Sequence, residues 1–122
     1  MSNDALDILL VEDDDAIRES LAECLTMEGL TVEVASDGMA ALAFLDGGRH
    51  PRLLLVDLLM PRMGGAELMA RLQAHPGRRA LKVVLMTAAT LEAQLPKADA
   101  VLTKPFELDT LLEVVRRQLA GS

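Results

Sequence analysis

Five residues of this chain could do chemistry together: Glu12, Asp13, Asp57, Thr87 and Lys104. Three are acids, one carries a hydroxyl and one an ammonium, with no His or Cys beside them in sequence. Two carboxylates about 5 Å apart repel by roughly 3 kcal/mol at an effective dielectric of about 20. Acids gathered in one place therefore call for a cation, and an oxygen-only ligand set suits Mg²⁺ rather than zinc. The lysine is a point charge suited to phosphoryl oxygens, and the threonine hydroxyl donates one hydrogen bond. A carboxylate beside such groups can act as a nucleophile and form an aspartyl-phosphate, while cation and lysine stabilise the transferring group's charge.

Such a cluster needs a fold that brings distant positions to one edge. Leu53-Leu54-Leu55-Val56 runs straight into Asp57, and Ile8-Leu9-Leu10-Val11 runs straight into Glu12-Asp13-Asp14-Asp15. Short apolar runs without alternation read as strands buried on both faces of a parallel sheet. Leu30–Val34 alternates like an edge strand, Leu81–Met86 reads as a fourth strand ending at Thr87, and Ala100–Leu102 as a fifth ending before Lys104.

Helical patterns lie between. Ile17, Leu21, Cys24, Leu25 and Glu28 share one side of a first helix, capped by Asp14 or Asp15 and ended by Gly29; Cys24 is expected to be a buried, inert thiol. Ser36 or Asp37 starts a second through Met39, Leu42 and Leu45, stopped by Gly47-Gly48. Leu68, Met69 and Leu72 mark a third, ending near His75, and Leu108, Leu111, Leu112, Val115 and Leu119 stripe the last. His50 and His75 read as solvated or structural. The five-fold alternation predicts a doubly wound parallel sheet with helices on both faces. Its ligands belong at the carboxyl ends of the strands, where all five residues stand.

The chain has 122 residues and reads as one domain, without an apolar run of membrane-spanning length or an N-terminal signal pattern. A single cysteine precludes an internal disulfide, and a cytoplasmic protein is the simplest expectation. The net charge of −7 and the absence of Trp and Tyr argue against nucleic acid and anionic membranes as partners.

The motifs Leu10-Val11-Glu12-Asp13-Asp14, Val56-Asp57-Leu58-Leu59-Met60-Pro61, Met86-Thr87-Ala88 and Thr103-Lys104-Pro105-Phe106 stand in the order found in the receiver domain of two-component response regulators. The chain resembles that CheY-like family over residues 6 to 120. The resemblance implies a flavodoxin-like strand order, 2-1-3-4-5. It implies a phosphoryl group passing from a histidine kinase or histidine phosphotransfer protein to Asp57, with Mg²⁺ as cofactor. Asp13 matches a direct Mg²⁺ ligand, Glu12 one acting through water, and Leu59 one offering its backbone carbonyl. Thr87 and Lys104 match the residues that contact the phosphoryl group, and the bond before Pro105 is expected to be cis. The domain is not a turnover enzyme on this reading. With no output domain in the given chain, a stand-alone receiver, monomeric or weakly dimeric, signalling to a downstream protein by contact is expected.

Several positions depart from the family pattern. Val101 stands where the family often has a switch aromatic. Thr87 and Lys104 are only 17 positions apart, and Pro96 stops a helix, so a short or irregular fourth helix is expected between them, with the usual dimer in doubt. Gly64 replaces a common acidic residue. Leu59 and Ala89 are apolar where the family tunes water access, which points to a long-lived phosphoryl state.

Other readings fit less of the chain. Asp13-x-Asp15 resembles the nucleophile motif of haloacid-dehalogenase-type phosphohydrolases, but 122 residues leave no cap domain and Asp57 stays unexplained. A calcium loop fails at Ile17. A nucleotide site would want a glycine loop where Asp13-Asp14-Asp15 stands. The rival of another class is a receiver-like module that docks a partner without phosphorylation.

Overall fold

A computed structural model describes residues 6–58, 65–75, 80–88 and 98–121. In chain order the elements are β1 (Leu6–Val11), α1 (Asp15–Met27), β2 (Val32–Ala35), α2 (Gly38–Asp46), β3 (Pro51–Asp57), α3 (Gly65–Leu72), β4 (Lys82–Ala88), β5 (Ala100–Lys104) and α4 (Leu108–Ala120). The strands form one parallel sheet in the order β2-β1-β3-β4-β5. The doubly wound α/β architecture is thus the expected one. The helix expected between β4 and β5 falls on residues 89–97, outside the described residues.

The apolar runs form central strands because both of their faces find a layer to bury. Leu9, Val11, Leu54, Val56, Val83 and Leu85 pack with Leu45 of α2 and with Leu68, Met69 and Leu72 of α3. The alternate residues Ile8, Leu10, Leu53, Leu55, Val84 and Met86 pack with Leu25 of α1 and Leu111, Leu112, Val115 and Leu119 of α4. Fully burying such a side chain contributes about 1.5–3 kcal/mol, so the central strands anchor the domain.

Helix ends follow local chemistry. Asp14 Oδ1 accepts from the Ile17 N–H at 2.9 Å, and Asp37 Oδ1 from the Ala40 N–H at 2.8 Å. Gly29, at φ 88°, ends α1: its N–H reaches the Thr26 carbonyl and that of Leu30 the Leu25 carbonyl, a Schellman closure.

The differences from expectation lie at the margins. β2 is Val32–Ala35 rather than Leu30–Val34; it is an edge strand but its burial does not alternate, Glu33 and Val34 both being exposed. β4 and β5 each run two residues further than expected, to Ala88 and Lys104, because each continues to pair with its neighbour. Cys24 is half-buried rather than buried. Ile17 and Leu108, the first members of their stripes, are each 44% exposed.

Candidate functional site

Register sets the site. Val11 pairs with Val56, Asp57 with Met86, and Ala88 with Lys104, so the carboxyl ends of β1, β3, β4 and β5 finish level. Strand alternation then sorts the side chains. Glu12 continues the series Ile8, Leu10; Asp57 continues Leu53, Leu55; Lys104 continues Leu102. All three series belong to the α1/α4 side of the sheet.

Carboxylate oxygens of Glu12, Asp13 and Asp57 all lie within 4.8 Å of one another. Glu12 is 1% exposed and Asp57 4%. Lys104 Nζ donates to Asp57 Oδ2 at 2.9 Å. Thr87 is buried at the end of β4, directly after Met86, the register partner of Asp57. The Lys104–Pro105 bond is cis. Val101, at the aromatic's place, is 40% exposed. Leu59 lies outside the described residues, as do Gly64 and Ala89.

The electrostatics of the cluster are unbalanced. Glu12 Oε2 accepts from the Asp14 N–H at 3.2 Å, while among the described residues its Oε1 is buried without a hydrogen-bond partner. Burial pushes the Glu12 carboxyl up to about 7, and the neighbouring Asp57 carboxylate adds to the rise; the Asp14 N–H and the Lys104 ammonium oppose it. A buried oxygen lacking a donor, among three carboxylates, is a place for a hard cation. The donor set fits Mg²⁺, with Glu12, Asp13 and Asp57 as the side chains able to hold it.

A groove of about 300 Å³ borders the cluster, lined by Glu12, Ile17, Leu21, Met86, Lys104, Pro105 and Phe106. One further contributor escapes the sequence reading. Arg18 reaches back from α1 under the β1–α1 loop and donates to the carbonyl oxygens of Glu12 and Asp13. Its one sequence signal is a cation near a helix N-terminus, where the helix dipole disfavours it.

Five parallel strands in this order, with acids and a lysine at their carboxyl ends, define a doubly wound α/β domain with an acidic site on the carboxyl edge of its sheet. The family comparison agrees: the response regulator receiver domain model matches residues 8–116, and the chain belongs to that family. Response regulator MprA of Mycobacterium ulcerans is 39% identical over 92% of this chain, and the chain spans about half (49%) of that protein. Among solved structures, the signal receiver domain of a signal transduction histidine kinase from Syntrophus aciditrophicus superposes with a TM-score of 0.87 at 33% identity, covering 96% of this chain and 92% of that one. Response regulator protein TrrA from Thermotoga maritima, solved in complex with Mg²⁺-BeF, gives 0.82 at 31% identity over 93% of this chain and 98% of its own. In the described residues no helix is long and apolar enough to cross a membrane.

Proposed function

We propose that this receiver domain takes a phosphoryl group onto Asp57 from the phosphohistidine of a histidine kinase or phosphotransfer protein, in a Mg²⁺-dependent reaction. The observation that carries the reading is the placement of Asp57, whose carboxylate belongs at once to the three-acid cluster and to the Lys104 pair. A carboxylate oxygen of Asp57 attacks phosphorus, the new O–P bond forms as the P–N bond breaks, and the bond's electron pair leaves with the imidazole nitrogen. Mg²⁺, when bound, offsets the charge of the carboxylates and of the phosphoryl oxygens. Lys104 holds Asp57 in the resting state and offers its ammonium to the oxygens that arrive. Thr87 supplies a hydroxyl donor at the same strand edge. The burial of Asp57 limits access by bulk water.

The donor is a protein on this reading. The groove beside Glu12 and Lys104 has apolar walls from Ile17, Leu21 and Phe106, suited to a partner's apolar side chains. Output is by protein contact, and the place of action is the cytoplasm. The curated relative is about twice as long as this chain, so the activity of a whole protein built on this domain would include whatever accompanies it. Val101, aliphatic and exposed, leaves the switch without its common aromatic, and the phosphoryl state is long-lived where Leu59 and Ala89 offer no group to orient water.

The test is intact-mass measurement after incubation with acetyl phosphate, with and without Mg²⁺, for wild type and Asp57→Asn. One added phosphoryl group that needs both Mg²⁺ and Asp57 is expected. No addition, under conditions that label a known receiver, would leave the phosphorylation-independent docking module as the better account.

A further inference from the structure

Arg18 sits closer to the acidic cluster than its sequence position suggests, yet it does not neutralise the cluster. Its Nη1 donates to the carbonyl oxygen of Glu12 at 3.0 Å and to that of Asp13 at 3.4 Å. Its Nη2 donates to Asp15 Oδ1 at 2.5 Å. The Arg18 side chain is 16% exposed, whereas that of Asp15 is 83% exposed. Among the described residues Arg18 makes no ion pair with Glu12, Asp13 or Asp57; in that group the pair is between Asp57 and Lys104.

We propose that Arg18 is a positioning residue of the Mg²⁺ site. It braces the main chain of Glu12 and Asp13 so that their carboxylates stay gathered with Asp57, and Asp15 holds its charge away from them. The proposal rests on the Mg²⁺-dependent reading above. A guanidinium at about 5 Å from a carboxylate gains roughly 3 kcal/mol at an effective dielectric of about 20, so an unrestrained Arg18 would fold onto the acids and compete with the cation. Two features prevent this. The planar fork satisfies two main-chain oxygens through one nitrogen while the other faces Asp15, a geometry a lysine cannot reproduce. Asp15 lies in the first turn of α1, where the helix dipole favours an acid and holds it in place. The loop is thereby braced through its main chain, and its carboxylates stay directed to the cluster with Asp57. Groups that orient metal ligands in this indirect way are typically worth 10- to 100-fold in metal affinity.

The experiment is a Mg²⁺ titration of the whole chain followed by ¹H–¹⁵N NMR, with the urea midpoint of the metal-free protein measured in parallel. The variants are Arg18→Met, Arg18→Lys, Asp15→Asn and, as a control for charge alone, Arg71→Met, which removes an exposed arginine paired with Glu67 on α3. Expected is a Mg²⁺ Kd about tenfold weaker in Arg18→Met, an incomplete rescue in Arg18→Lys, a weakening of several-fold in Asp15→Asn, and no change in Arg71→Met. A lower urea midpoint with an unchanged Kd in Arg18→Met makes Arg18 a structural residue only and overturns the proposal. So does an equal weakening in Arg71→Met. If Arg18→Met does not fold, Asp15→Asn decides, and an unchanged Kd there overturns it. Wild-type protein that binds no Mg²⁺ brings down the metal-dependent reading as well, so the two failures are distinct.

Discussion

Strand β1 carries a carboxylate near each end, Asp7 and Glu12, and the two have opposite surroundings. At the amino end, Asp7 Oδ2 accepts from the Thr31 N–H at 2.9 Å and the Thr31 hydroxyl at 3.1 Å, and Oδ1 accepts from Arg52 at 3.4 Å. Arg52 goes on to the Leu119 carbonyl at 2.7 Å, tying the end of α4 to the same edge. At the carboxyl end, Glu12 is buried against two other acids, with one oxygen lacking a donor among the described residues. A buried polar group left unsatisfied costs free energy, so the same strand is stabilised at one end and frustrated at the other. The difference teaches that the amino edge is built to hold and the carboxyl edge to wait for something. Three gathered acids, destabilising by themselves, become favourable once a cation arrives.

The comparison breaks if the frustrated end proves merely structural. Glu12→Gln and Asp13→Asn are expected to weaken Mg²⁺ binding by at least about tenfold, measured by calorimetric titration, with phosphoryl uptake from acetyl phosphate falling in step. The same Glu12→Gln should raise the metal-free protein's stability at pH 7, because it removes a buried charge facing like charges. A variant that loses both binding and stability would contradict the account of the site as strained.

Titration sharpens the same contrast. The Glu12 carboxyl is raised from 4.5 to about 7 in the folded chain, so between those values the native state holds a proton that the unfolded state has released. Its contribution to stability is present at low pH and is lost as pH rises through that window, with a slope of up to about 1.4 kcal/mol per pH unit. Urea unfolding in EDTA from pH 4.5 to 7.5 should show the slope as a difference between wild type and Glu12→Gln. Saturating Mg²⁺, which binds the ionised form, should remove it. At the other end, Asp7→Ala should lower stability by about 1–3 kcal/mol, by leaving the Thr31 and Arg52 donors unmet, and leave the Mg²⁺ Kd unchanged.

Most of this edge-to-edge contrast is legible in the sequence on one side only. Apolar runs that stop at Glu12 and Asp57 are legible because strands buried on both faces show no alternation to confuse them, and acids at their ends have few structural uses. Residue type narrows the caps to Asp14 or Asp15 and to Ser36 or Asp37, and the hydrogen bonds to Ile17 and Ala40 decide for Asp14 and Asp37. Arg18 and Arg52 are not legible, because a long side chain's reach depends on what lies across the fold: Arg52 ends 67 positions away, at Leu119. The extension of β4 to Ala88 and of β5 to Lys104 is hidden for a related reason, since pairing with a neighbour overrides local polarity. Ile17 and Leu108 satisfy the helical stripe yet stay exposed, which periodicity cannot register.

The smallest effect belongs to Asp14, which lies between the two behaviours. Its side chain caps α1 through the Ile17 N–H, whereas its own N–H serves Glu12 Oε2. Removing the side chain in Asp14→Ala should therefore cost about 1 kcal/mol of stability as a lost cap. The main-chain donor to Glu12 remains, and the lost charge is exposed and screened, so the Mg²⁺ Kd should stay within about twofold. Thermal unfolding and a Mg²⁺ titration on the same sample read both quantities. If Asp14→Ala instead weakened Mg²⁺ as much as Asp13→Asn, the holding and binding roles would not separate along this loop, and the acid cluster would have to be redrawn around four residues.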